Sequence, residues 1–240
     1  MPPIKVSVVV PVYNEAKILP EAAAELVGQL EGAGWDYEII FAENGSKDTT
    51  SQILGDLAKT FPRVRALHEG QPNYGRALRH GILEATGDFV ICEEIDLLDQ
   101  DFHKRAIDIL VAGGADMVVG SKAAVGAHDQ RPIIRRAGTL VLNGLLRVAL
   151  DYRGTDTHGL KAFRRTELLP VARACKVEKD LFASEFVVRA YQMGVRVIEI
   201  PITIREKRRP SVHLFKRVPK VLKDLGRLVY VIRFKKDKDD

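Results

Sequence analysis

The sequence predicts an α/β fold, a mostly parallel central sheet with helices on both faces. Three observations carry that expectation. Short β-branched runs alternate with amphipathic helical stretches from residue 5 to residue 120. Polar or turn-forming residues follow each run at once, and a 46% hydrophobic content over 240 residues supplies the apolar material for one large core.

The first run, residues 5–12, is followed by Ile18, Leu19, Ala22, Ala23, Leu26 and Leu30 at helical spacing, which makes one strand–helix unit. Residues 37–42 form the second run, with a helix over 49–60. Residues 64–68 form the third, with a helix over 75–85. Residues 88–92 and 117–120 are the fourth and fifth runs. Beyond them, 133–150 and 184–193 read as helices and 195–204 as a strand interrupted by Pro201. The arrangement is Rossmann-like. In such sheets ligands bind beyond the carboxyl ends of the strands, so residues 11–15, 43–48, 93–101 and 121–122 are where chemistry is expected.

Several classes are excluded or disfavoured. Two cysteines, Cys92 and Cys175, are too few for a disulfide framework and have no zinc-site spacing, so they read as buried thiols in a reducing compartment. The N-terminus lacks the pattern of a signal peptide, and no run of about 18 or more apolar residues marks a spanning helix. No G-x-G-x-x-G follows the first strand, which argues against a dehydrogenase. The net charge of +5 is concentrated at the end: residues 205–240 hold 13 Lys and Arg against 5 Asp and Glu. That tail suits an anionic membrane surface or another polyanion, or is simply a solvated basic helix.

The strand tips carry the specific signal. The first reads Pro11, Val12, Tyr13, Asn14, Glu15, offering a wall for a nucleobase and a carboxylate for its donors or for ribose hydroxyls. The second reads Glu43-Asn44-Gly45-Ser46-Lys47-Asp48-Thr49, and the helix over 75–85 opens with Asn73-Tyr74-Gly75-Arg76-Ala77-Leu78-Arg79. The fourth ends in Glu93-Glu94-Ile95-Asp96-Leu97. Two carboxylates at i and i+2 after a strand can hold Mg²⁺ or Mn²⁺ while a diphosphate supplies further oxygens.

Together these segments resemble the family 2 glycosyltransferases, and the resemblance implies the glycosyltransferase A fold. It places Pro11, Tyr13, Glu15, Glu43, Arg76, Arg79 and Ile95 at the nucleotide and Glu94 and Asp96 at the metal, with Asp96 also catalytic. The match departs from the family pattern where Glu43 and Asn44 replace two aspartates and Glu94 replaces one. Farther along, Gly120-Ser121-Lys122, Arg131, Arg135, Arg136 and Asn143 resemble the branch of polyprenyl-phosphate sugar synthases. That branch implies an acceptor phosphate held by Ser121, Lys122, Arg135 and Arg136. The segment GTDTHGLKAFRR, with Asp156 and His158, matches a branch motif with one residue fewer between aspartate and glycine. Phe182-x-x-Glu185 and Glu199-Ile200-Pro201-Ile202 match two more motifs, and Arg205 and Arg208 fall where diphosphate contacts are expected.

The resemblance thus covers residues 5–213 as a catalytic domain, leaving 214–240 as a basic amphipathic helix and charged tail. Leu214, Val218, Val221, Leu225, Leu228 and Ile232 recur at helical spacing there. Such a helix either lies in a membrane interface, at the cytoplasmic face, or packs on the domain or on a second copy. The expected activity is inverting transfer of a sugar from a nucleotide-diphosphate sugar to a polyprenyl phosphate, with no nucleic acid partner. A hydroxyl acceptor would call for a carboxylate base, for which Asp156 and Glu185 are the candidates. A sugar or small-molecule hydroxyl as acceptor, or a non-catalytic nucleotide-sugar binder, are the rival readings.

Overall fold

The computed structural model describes residues 3–204 and 214–234, apart from the side chains of Arg135, Asp180 and residues 214–222. The expected alternation is present: β1 (Lys5–Val12), α1 (Leu19–Ala33), β2 (Asp36–Glu43), α2 (Thr50–Thr60), β3 (Val64–His68), α3 (Tyr74–Glu84), β4 (Phe89–Cys92), α4 (Gln100–Val111) and β5 (Met117–Ser121). Then come a short β6 (His128–Asp129), α5 (Ile133–Leu150), β7 (Lys161–Arg164) and α6 (Arg165–Ala174). A 3₁₀ turn (Lys179–Leu181) leads into α7 (Phe182–Gln192), β8 (Val197–Pro201), β9 (Thr203–Ile204) and α8 (Leu214–Phe234).

Seven strands form one sheet in the order β3-β2-β1-β4-β7-β5-β8, and β6 pairs with β9 apart from it. All neighbours in the large sheet are parallel except β7, which runs antiparallel to both β4 and β5. A strand of four residues with a lysine in a buried position carries little periodic signal, and the sequence reading did not find it. The two strand segments at the end, β8 and β9, reproduce the interruption at Pro201, which closes β8.

Apolar side chains fill both sides of the sheet. On one face Leu26 of α1, Leu54 of α2 and Phe102 of α4 pack against Val8, Val10, Ile39 and Phe41. On the other, Ile82 of α3, Leu146 of α5, Leu168 of α6 and Phe186 of α7 pack against Val9, Ile40, Val90 and Phe163. The second layer also takes Leu225, Leu228 and Val231 of α8. Of the roles open to the C-terminal helix, packing on the domain is therefore what its second half does.

Candidate active site

The carboxyl ends of β1, β2 and β4 lie side by side, because Val12 pairs with Glu43 and Val9 with Cys92. Their loops are tied together by side chains that cap backbone groups. The Asn14 N–H donates to Ser46 Oγ at 3.0 Å and the Lys47 N–H returns a bond to Asn14 Oδ1 at 2.8 Å. The Glu15 N–H reaches Thr50 Oγ1 at 2.9 Å, and the Ala16 N–H reaches Asp48 Oδ2 at 3.3 Å. Gly45 takes φ +66°, and a Cβ there would meet the Gln71 carbonyl carbon at 2.8 Å, so glycine is required in this turn. Pro11 is buried and the Tyr13 ring stands at the rim, 38% exposed.

Glu43 is buried and accepts from the Ser46 N–H, with His68 Nδ1 3.5 Å away. Burial opposes its ionisation, but bonds from Ser46, His68 and Gly45 outweigh it and hold the carboxyl below its ordinary range. Glu43 is thus an ionised acceptor at the tip of β2.

From this loop a chain of hydrogen bonds runs to the acidic pair after β4. Asn44 Oδ1 accepts from the Asn73 N–H, and Asn73 Oδ1 caps α3 by accepting from the Arg76 N–H at 3.1 Å. The next residue, Tyr74, donates its hydroxyl to Glu94 Oε1 at 2.7 Å. Glu94 is thereby linked through α3 to the Glu43 loop, and β4, which it follows, lies beside β1 in the sheet. Burial, then the Asp96 and Glu93 charges, push the Glu94 carboxyl from 4.5 to about 7, against the pull of the Tyr74 hydroxyl.

Neighbouring Glu93 is fully committed: it accepts from the Glu94 N–H (2.8 Å), the Asp99 N–H (3.1 Å) and His103 Nε2 (2.6 Å). It shapes the loop. No group of three or more His, Cys, Asp or Glu that would cage a metal occurs among the described residues. Two adjacent carboxylates, of which Glu94 is raised by burial first and then by a neighbouring charge, fit a divalent cation completed by substrate phosphates, which is how Mg²⁺-type sites are commonly built.

The other half of the crevice is made by β5 and the loop before β7. Asp156 is buried; its Oδ2 lies 3.1 Å from Lys122 Nζ, and its Oδ1 accepts from the His158 N–H at 2.9 Å. Burial would raise its carboxyl, yet Lys122 and these bonds hold it below the ordinary range. Glu199 of β8 pins the loop by accepting from the Thr155 N–H at 2.7 Å and the Tyr152 hydroxyl at 3.3 Å. Gly159 lies against β5 so closely that any Cβ would collide with the Gly120 carbonyl oxygen, so no other residue fits. Beside this loop lies a cleft of ≈ 210 Å³ whose lining includes Lys122, Arg131, Arg136, Thr139 and Leu140, with Asp129 paired to Arg131 at 2.7 Å.

Several expected site residues are placed elsewhere. Glu185 is fully buried in α7, where Oε2 accepts from the Lys176 and Val177 N–H groups and Oε1 pairs with Arg189 Nε at 2.7 Å. It braces the loop before the 3₁₀ turn and is not available as a base. Asp156, ionised and paired, is likewise an anchor for Lys122 rather than a proton acceptor. The Arg79 guanidinium is spent on the Ala172 and Arg173 carbonyl oxygens at the end of α6, away from any nucleotide role. Ser121 is buried, bonded to Thr155 Oγ1 at 2.7 Å, and supports the loop instead of facing an acceptor. The Ile95 side chain turns into the core. Arg76 stays at the first turn of α3, paired to Glu69 at 2.5 Å. Arg205 and Arg208 lie outside the described residues, as does the Arg135 side chain.

Two contributors escaped the sequence reading. Tyr74 lacked any motif signal for its bond to Glu94. Lys161 of β7 is buried and donates Nζ to the Gly159 carbonyl oxygen at 2.7 Å. Burial lowers its pKa, while Cys92, Asp156 and Glu94 act to raise it.

A mostly parallel sheet with an acidic pair at the tip of β4 is the arrangement of the glycosyltransferase A fold. The profile of Glycosyl transferase family 2 matches residues 7–169, and the chain belongs to that family. It is 29% identical over 221 residues to Glycosyltransferase AglD of Haloferax volcanii, covering 90% of this chain and 35% of that protein. It is 25% identical over 215 residues to Dolichyl-phosphate beta-glucosyltransferase ALG5A of Trichomonas vaginalis, covering 85% of this chain and 66% of the other. The chain thus spans about a third of the first relative's length and just under two thirds of the second's. Among solved structures, glucosyl-3-phosphoglycerate synthase from Mycobacterium tuberculosis, in complex with Mn²⁺, UDP and phosphoglyceric acid, superposes with a TM-score of 0.67 at 18% identity, over 94% of this chain and 78% of that one.

Proposed function

We propose that this chain transfers a sugar, with inversion, from a nucleoside-diphosphate sugar to a polyprenyl phosphate presented at a membrane surface. The observation that carries the acceptor is the cleft with Lys122, Arg131 and Arg136 on its wall, with Asp156 paired to Lys122 and Glu185 buried apart from it in α7. A hydroxyl acceptor needs a base to take its proton, whereas a phosphate arrives ionised and needs only cations to hold it. The relative in Trichomonas, named as a dolichyl-phosphate glucosyltransferase, supports the same acceptor class.

On the donor side, Glu43 and the Tyr13 ring receive the nucleoside, and Arg76 at the capped start of α3 lies where a helix N-terminus favours anions. Glu94 and Asp96 would hold Mg²⁺ or Mn²⁺, which when bound neutralises charge on the departing diphosphate. The solved structure with Mn²⁺ and UDP on the same fold supports that pairing. The chain's own residues orient the two reactants: the Asn44–Asn73–Tyr74 chain fixes the donor loop against α3, and Asp156 and Glu199 fix Lys122 toward the acceptor cleft. Holding both in one crevice supplies the proximity on which an in-line displacement depends.

The test is transfer of radiolabelled sugar from a panel of nucleoside-diphosphate sugars to a polyprenyl phosphate, with and without Mn²⁺. Product extracted into organic solvent, lost in Asp96→Asn, is the expected result. Product confined to the aqueous phase would replace the lipid with a hydroxyl acceptor, and Mn²⁺-dependent turnover in Asp96→Asn would remove the metal assignment.

A further inference from the structure

No helix among the described residues is long and apolar enough to cross a membrane. In the C-terminal helix Leu225, Leu228 and Val231 face the core, while Tyr230 and Phe234 are exposed. The larger set of exposed apolar side chains among the described residues is on α5. Its inner side is Asn143, Leu146 and Leu150, all buried. Its outer side carries Ile133 (80% exposed), Leu140 (63%), Val141 (63%) and Val148 (84%), with Ile134 and Leu145 beside them. At 3.6 residues per turn these six fall within an arc of about 140°. Only Ala137 and Gly144 interrupt the arc, and both are small. Val125, in the loop after β5, is fully exposed nearby in sequence.

A stripe of this size on a helix otherwise built into the domain calls for a covering partner. Charge chooses between the candidates. The 18 residues of α5 include Arg135, Arg136 and Arg147 and no Asp or Glu. By helical spacing Arg136 and Arg147 fall along one border of the stripe, where long cationic side chains reach headgroups while the apolar residues go deeper. A two-fold contact with a second copy would instead bring arginine borders together with no carboxylate on the helix to pair them. The stripe is also continuous with the cationic cleft, because Leu140 belongs to both.

We propose that α5 seats the protein on an anionic bilayer. The stripe enters the headgroup boundary, the arginines lie among lipid phosphates, and the Lys122–Arg136 cleft opens at the bilayer surface, where a lipid-borne phosphate would meet it. Only that last clause rests on the proposed acceptor; the docking itself does not.

The test uses the full chain with vesicles of phosphatidylcholine alone or containing phosphatidylglycerol. Co-sedimentation is expected only with the anionic vesicles and should weaken with salt. The double substitution Val141→Asp and Val148→Asp, at exposed positions outside the cleft, should reduce vesicle partition at least tenfold with an unchanged melting temperature. It should also transfer sugar normally to a short, water-soluble prenyl phosphate while losing transfer to vesicle-embedded acceptor. Tyr230→Asp, on the exposed side of α8, should bind vesicles like the parent. Equal partition of parent and double variant overturns the proposal, as does a parent that is dimeric without lipid and a variant that is monomeric. Vesicle binding with no transfer to any phosphate acceptor would leave the docking standing and remove the acceptor reading instead.

Discussion

The Tyr74 hydroxyl and the Glu94 carboxylate meet at 2.7 Å, joining the start of α3 to the acidic loop after β4. This bond favours the ionised form of a carboxyl that, with the bond in place, burial and Asp96 still raise to about 7. Tyr74→Phe should therefore raise the Glu94 pKa and shift the acid limb of Mn²⁺-dependent activity upward by about one pH unit, given that hydrogen bonds to charged groups contribute about 1.5–3 kcal/mol. Calorimetric Mn²⁺ titrations between about pH 6 and pH 8.5, a window that brackets the raised pKa, check this. A superimposable profile would show that Glu94 does not depend on Tyr74.

The same carboxyl gives a stability signature without metal. Its pKa is about 7 in the folded chain against an ordinary 4.5, so the folded state holds the proton over the interval in which the unfolded state has released it. The stability from this group is complete below pH 4.5 and is lost as pH rises through about 7. The metal-free parent should lose melting temperature across that interval relative to Glu94→Gln, and Mn²⁺ should restore it only in the parent. Parallel melting curves for the two would contradict the assignment.

Lys122 and Asp156 form a buried pair, and breaking such a pair from one side strands a charge. Lys122→Met should destabilise the fold by about 3 kcal/mol or more in urea titrations. It should also raise the KM for a phosphate acceptor without changing that for the donor. A rise confined to the donor would put Lys122 on the wrong side of the crevice.

Glu185 separates structure from chemistry. Glu185→Gln removes the charge that pairs with Arg189 and weakens the brace on Lys176 and Val177. The expected loss is about 2 kcal/mol of stability, with kcat per folded molecule unchanged. A fall in kcat at full folding would restore the base role that burial denies it.

The donor half was readable because its residues are contiguous and periodic. β3 and α5 have the bounds their sequences imply, and the motifs at residues 11–15, 43–49 and 93–97 meet in space as the parallel order requires. The acceptor half was less legible. β7 is four residues long, with Lys161 in its buried register, so its apolar pattern is broken at the position that carries a charge. Sequence spacing also cannot tell an arginine that meets a phosphate from one that staples two helices, as Arg79 does to α6. Nor can it tell a carboxylate facing substrate from one saturated by backbone N–H groups, as Glu185 is.

The position of β7 has a further consequence for how this protein can change. Strands β3, β2, β1 and β4 all come from the first 92 residues, and β7, β5 and β8 from those after 116. Their only seam within the sheet is the antiparallel pairing of Phe89–Cys92 with Arg164–Lys161. Within the sheet that register joins the two parts, and the helical layer ties them again, through Arg79 on the Ala172 and Arg173 carbonyl oxygens and Asn73 on Glu178 and Lys179. A downstream segment exchanged near residue 100 would have to preserve both the strand register and these helix contacts for the two parts to close on each other.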